Sequence, residues 1–159
     1  MIHLSDINEQ NYLDAASLRV REDQQGYLDR PVGILARGYV YRAANARVFG
    51  IAEDGRLIGL ALVKDMDEEP ACYDLQQFMI DERWQNRGFG SEALRQVLAL
   101  LRREGKYGCV EVCVKQDNAQ ALRVYEKLGF ADTGYRDEDA PDCLNLRVSF
   151  APEDTPSDK

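Results

Sequence analysis

The 159-residue chain contains one histidine, His3, and no second candidate for imidazole chemistry. Serine–histidine and cysteine–histidine catalysis each need a base within hydrogen-bond reach of the nucleophile, so a lone histidine in a strand-like opening segment argues against both. Its four cysteines, Cys72, Cys109, Cys113 and Cys143, include no C-x-x-C pair, and their spacing suits neither zinc nor a redox dithiol. They read as buried structural thiols, and no metal is expected. Basic side chains are also short: 20 Lys and Arg stand against 28 Asp and Glu, a net charge of −8. A general nucleic-acid binder needs cations to displace counterions, so that class is excluded, whereas a small cationic substrate suits the balance. No apolar run approaches the ~18–20 residues of a membrane span. The opening M-I-H-L-S-D has neither the basic nor the apolar region of a signal peptide. A soluble, cytoplasmic protein is the expectation.

The length fits one domain, expected over residues 1–150, followed by an acidic tail at 151–159 whose two prolines and three acids predict disorder. I-H-L-S-D-I reads as a strand, and Asn11–Arg19 and Pro31–Asn45 as helices, with Pro31 suited to a first turn. Two apolar runs around Asp54-Gly55 predict a hairpin. The acidic stretch Asp65, Asp67, Glu68, Glu69 before Pro70 reads as a solvated loop, and residues 71–80 as a fourth strand. Leu94, Val97, Leu98 and Leu101 recur at the spacing of a buried helical face. The strand C-V-E-V-C-V, a helix over Asn118–Lys127 ended by Gly129, and the strand C-L-N-L-R-V-S-F follow. Together these predict an α/β (α+β) fold with helices on a mixed, mostly antiparallel sheet.

Chemistry concentrates in Gln85-Asn86-Arg87-Gly88-Phe89-Gly90-Ser91, between the fourth strand and the long helix. Two glycines allow backbone N–H groups to converge, the helix N-terminus adds unsatisfied donors and partial positive charge, and Arg87 adds a full one. That is a cradle for phosphate or pyrophosphate, although a glycine-rich segment can also simply turn the chain. A P-loop is excluded because no lysine follows Gly90. The dinucleotide fingerprint is met in letters by Gly88-x-Gly90-x-x-Ala93, but its first glycine should follow the strand directly, and seven residues separate Ile80 from Gly88.

Q-N-R-G-F-G, preceded by F-M-I-D-E-R-W-Q and followed by V-C-V-K-Q-D-N-A-Q-A-L-R-V-Y-E-K-L-G-F, resembles the paired cofactor motifs of the GNAT N-acetyltransferases. The likeness covers residues 46–135 well. The whole layout, with Q-Q-G-Y and the hairpin V-F-G-I-A-E-D-G-R-L-I-G-L-A, is most similar to the bacterial spermine/spermidine (diamine) N-acetyltransferases of that family. The resemblance implies the GNAT acetyltransferase fold with about four helices, and acetyl-CoA as co-substrate. It also implies a small amine, polyamines foremost, as acceptor. Backbone groups of Phe78, Met79 and Ile80 would hold the pantetheine arm, and Asn86, Arg87, Gly88, Phe89, Gly90 and Ser91 the pyrophosphate. Asn118 would reach pantetheine, although asparagine at a helix start is also an ordinary N-cap.

Tyr125 matches the family tyrosine beside the thioester sulfur, where a phenol of pKa ~10 can protonate a departing thiolate of pKa ~8.5. It also suits the core face of an amphipathic helix, but with the paired motifs present the catalytic role is the expectation. The attacking amine must lose a proton, and no base is identified. Glu111 lies on the strand between the motifs, where it also reads as a solvated residue. Glu22, Asp23, Tyr27 and Gln76 are candidate acceptor contacts. Relatives that use polyamines often carry a carboxylate just before the position of Phe78, where this chain has Gln76 and Gln77. Other acceptors remain open: an aminoglycoside, an amino acid, or a protein N-terminus or lysine. So does a non-catalytic sensor of acetyl-CoA. A homodimer is open as well, relatives often being dimers.

Overall fold

The computed structural model describes residues 1–150; the expected tail lies outside them. Seven strands form one sheet in the order β1-β2-β3-β4-β5-β7-β6, antiparallel throughout except where β4 meets β5. The strands are β1 (Ile2–Asp6), β2 (Arg47–Glu53), β3 (Arg56–Met66), β4 (Cys72–Ile80), β5 (Cys109–Lys115), β6 (Ala131–Asp132) and β7 (Cys143–Ser149). The helices are α1 (Tyr12–Ala16), α2 (Pro31–Val40), α3 (Phe89–Glu104) and α4 (Ala119–Lys127). Helices α3 and α4 cover one sheet face, burying Leu94, Val97, Leu101 and Tyr125 against Leu75 and Val112. On the other face, Ala15, Leu18 and Ile34 pack on Leu60, Leu62 and Met79.

The β2–β3 hairpin turns at Asp54 and Gly55, both with positive φ (47° and 78°), as a two-residue turn matched to strand twist requires. The two early helices are shorter than their sequence suggests. α1 stops at Ala16, where the Ser17 hydroxyl donates to the Asp14 carbonyl at 2.8 Å. Leu18 then turns into the core. α2 gives way after Val40 to a 3₁₀ turn over Arg42–Ala44 that ends at Asn45 in the left-handed region. Asp65 is not in a loop: it is the penultimate residue of β3, buried, and paired with the Lys106 ammonium.

The cysteines also depart from expectation. Cys72 and Cys109 open β4 and β5, next to the paired residues Tyr73 and Val110, and are joined as a disulfide with Cα atoms 5.2 Å apart. Thirty-seven residues of sequence separation hide a proximity that the parallel register creates. Cys143 is buried as expected, whereas Cys113 is exposed. Thiol titration of denatured, unreduced protein is therefore expected to find two groups; four would show that the cross-link is absent.

Candidate active site

The site begins where two strands part. β4 and β5 pair only at Tyr73–Val110 and Asp74–Glu111, leaving residues 75–80 without a strand partner on that side. A register shift against β3 leaves Gln76 as the extra residue, a bulge that bends β4 as it leaves β5. The disulfide pins the closed end of this V. Opposite, β3 approaches so closely that a Cβ on Gly59 would lie 2.3 Å from the Met79 carbonyl oxygen. The open edge at Phe78, Met79 and Ile80 is the kind of unpaired backbone an extended ligand can hydrogen-bond.

Past Ile80 the chain turns through Asp81, which is buried and accepts from the Arg83 N–H (3.0 Å), the Arg83 Nε (2.8 Å) and the Arg19 N–H (2.9 Å). Burial works against its charge, but these donors prevail and hold its carboxyl below the usual range. Asn86 (φ 58°) and Gly88 (φ 82°) then adopt left-handed conformations, and Gly88 caps α3. This geometry brings the turn and the first N–H groups of α3 to the open V. Space above Gly88 is free: a Cβ there would meet nothing within 4 Å.

The V, the turn and α4 enclose a cavity of about 490 Å³. It is lined by the candidates Phe78, Met79, Ile80, Asn86, Gly88, Gly90 and Ser91, with Asn118 and Tyr125 from the α4 side. Arg87 and Phe89 are not brought in. The Arg87 guanidinium lies 4.9 Å over the Trp84 ring and 5.1 Å over Phe89, on the hollow it shares with Glu53 and Asp54. A cradle of backbone donors opening onto a largely apolar slot fits a pyrophosphate with an attached aliphatic arm. Among the described residues, no cluster of three ligating side chains could hold a metal.

Asn118 serves two ends: it lines the cavity and caps α4, its Oδ1 accepting from the Ala121 N–H at 3.3 Å. Tyr125 is 6% exposed and packs edge-on against Phe130 at 5.2 Å. Its hydroxyl has no hydrogen-bond partner among the described residues, and burial raises its pKa above the ordinary 10. Although Cys113 is exposed as a residue, its sulfur lies against Cys143 at the same cavity; loss of water around the thiol, then that contact, pushes its pKa up to about 12.

On the acceptor side, Tyr27 and Gln76 line the cavity, while Glu22 is exposed and stands outside it. Tyr27 is held to Asp117; burial and that carboxylate raise its pKa. Gln77 faces away from the cavity, accepting from the Asp29 N–H at 3.1 Å. Glu111 is engaged by the Arg147 Nε at 2.9 Å, and Asp74 by Lys64 at 3.7 Å. Among the described residues, the charged members of the lining are Lys115 and Arg123, both cationic. Sequence reasoning assigned no role to these two, nor to Gln24, Gln85 and Gln120, although all five stand inside recognised motifs. Gln24 is in Q-Q-G-Y, Gln85 at the head of the glycine turn, and Lys115, Gln120 and Arg123 in the segment running from β5 into α4.

Residues 8–130 match the model of the acetyltransferase (GNAT) family. The spermine/spermidine N(1)-acetyltransferase of Bacillus subtilis (strain 168) is 25% identical over 136 residues, 86% of this chain and 81% of that one. The L-amino acid N-acetyltransferase AaaT of Escherichia coli (strain K12) is 32% identical over 83 residues, about half of each chain (51%). In three dimensions the fold is similar to spermidine N-acetyltransferase from Vibrio cholerae, solved with CoA and spermine: TM-score 0.75, 17% identity, 93% of this chain and 95% of that one. The match across most of the chain, the splayed strands and the glycine turn agree, and this protein belongs to the GNAT family of N-acetyltransferases.

Proposed function

We propose that the protein transfers the acetyl group of acetyl-CoA to a primary aliphatic amine by direct attack, with a diamine or polyamine such as spermidine as the first acceptor to consider. One observation carries this reading: the free edge of β4, the turn at Gly88 and Tyr125 line a single cavity. Acetyl-CoA supplies an activated acyl group on a thiol leaving group of pKa ~8.5. Backbone N–H groups at Gly88, Gly90 and Ser91 bind the pyrophosphate, and the edge at Phe78–Ile80 orients the arm. Tyr125 keeps its proton on the hydroxyl, ready for the departing sulfur. Among the described residues the cavity lining holds no carboxylate or histidine, which supports release of the amine's proton to water and a turnover that rises with pH toward the amine's own pKa of ~10.4.

A second acceptor class is favoured by the two cationic lining residues. Lys115 and Arg123 suit an amine that also carries a carboxylate, such as an amino acid, better than a polycation. Thiol release from acetyl-CoA, measured with spermine, spermidine, short diamines, aminoglycosides, amino acids and a lysine peptide, decides between them. Release with polyamines supports the first acceptor, and release with amino acids alone replaces it. Silence across the panel with acetyl-CoA bound would overturn the enzymatic reading in favour of a sensor.

A further inference from the structure

The segment joining α1 to α2 forms one wall of the cavity through Val20, Gln24, Tyr27 and Leu28. It is stitched to the cofactor side. At its start the Glu82 N–H donates to the Arg19 carbonyl at 2.7 Å. At its far end Tyr27 meets Asp117, just before α4. Between them lies Arg21. One guanidinium nitrogen donates to the Gln85 Oε1 at 2.8 Å and another to the Gln120 Oε1 at 3.0 Å. Gln24 follows the same two oxygens at 3.1 and 3.2 Å, and the Gln85 amide returns a bond to the Gln24 Oε1 at 2.8 Å.

We propose that Arg21 is a positioning residue that locks the acceptor wall onto the cofactor cradle, so that a cofactor seated on the glycine turn fixes the acceptor wall. The inference rests on the acetyl-CoA reading of the turn. Gln85 opens that turn and also donates to the Ile80 carbonyl at 2.8 Å, at the end of the free β4 edge. Gln120 stands two residues after Asn118, on the first turn of α4. A rigid planar fork reaches two acceptors on different elements through separate nitrogens, each bond charge-assisted. Both sides of the cavity therefore converge on Arg21, which does not itself line it, with the neutral Gln24 amide beside it.

The test is hydrogen exchange of the full chain with and without CoA, in wild type and Arg21→Ala, together with steady-state kinetics using whichever panel amine supports thiol release. In the wild type, CoA is expected to slow exchange at residues 86–91 and at residues 20–28; in Arg21→Ala, only at 86–91. The acceptor KM should rise roughly tenfold, the size expected for a lost hydrogen bond to a charged group, with kcat and CoA affinity within about threefold. Adding Gln24→Ala to Arg21→Ala, which removes the neutral bonds to the same two oxygens, should change little further, because Arg21 makes the charge-assisted ones. Equal protection of 20–28 in both proteins, or an unchanged KM, would overturn the lock and leave the acetyltransferase reading standing. CoA that protects neither segment would overturn both. Coupled protection without any thiol release would support the lock and sink the acetyl-transfer reading. Should Arg21→Ala not fold, Gln120→Ala alone removes one arm of the fork and takes its place in the same comparison.

Discussion

Replacing Tyr125 with Phe is expected to lower kcat at least ~100-fold while leaving acetyl-CoA affinity within about twofold. General-acid assistance to a leaving group contributes on the order of 10²–10⁴ in rate, and the hydroxyl is the only atom the change removes. Because that hydroxyl has no partner among the described residues and the ring is packed against Phe130, the substitution leaves no buried group stranded. Stability should hold within ~1 kcal/mol, so lost turnover would not be lost fold. Burial raises the Tyr125 pKa, so the folded protein keeps this proton to higher pH than the unfolded chain does. Its stabilising effect is therefore full below pH ~10 and declines as pH climbs beyond that value. The proton donor accordingly stays loaded through the neutral range, and any alkaline fall in rate near pH 10 must have another origin. Steady-state kinetics beside isothermal titration with acetyl-CoA check the prediction. Unchanged turnover would remove Tyr125 from the chemistry and return it to the core.

Local pattern made much of this legible. The hairpin at Asp54-Gly55 follows from two residues that tolerate positive φ, and α3 from the spacing of Leu94, Val97 and Leu101. The glycine turn was readable because close approach of backbone to an anion needs particular residues in a short span. What escaped was set by register. Cys72 and Cys109 meet only because β4 and β5 run parallel from a shared start, which no cysteine spacing encodes. Gln76 and Gln77 look equivalent in sequence, yet the bulge brings the first to the cavity, while the second is bound to Asp29. Arg87 looked like a phosphate ligand because charge was counted without direction; Trp84 and Phe89 offer its guanidinium a stacking surface instead. The wall carrying Arg21 and Gln24 has no periodicity, and Q-Q-G-Y marks its place without its contacts, since Arg21 bonds to residues 64 and 99 positions away.

Replacing Gly88 with Val is expected to abolish acetyl-CoA binding, an effect larger than 100-fold, without unfolding the protein. Two costs are involved, and a control separates them. The first is backbone strain: Gly88 has φ +82°, where a β-branched residue is disfavoured by on the order of 1–3 kcal/mol. The second is steric and falls on the ligand alone, because the new side chain would project into free space, with nothing of the protein within 4 Å of its Cβ. Gly55 supplies the control. It has nearly the same conformation, φ +78°, and equally open surroundings, but it lies in the β2–β3 turn and not in the cavity lining. Gly55→Val should thus lose similar stability and keep cofactor affinity. Thermal unfolding and calorimetric titration of the two variants give the answer. Comparable stability with binding lost only at Gly88 would place the pyrophosphate on this turn. Binding retained by Gly88→Val would show that the turn only redirects the chain and that acetyl-CoA is held elsewhere in the cavity.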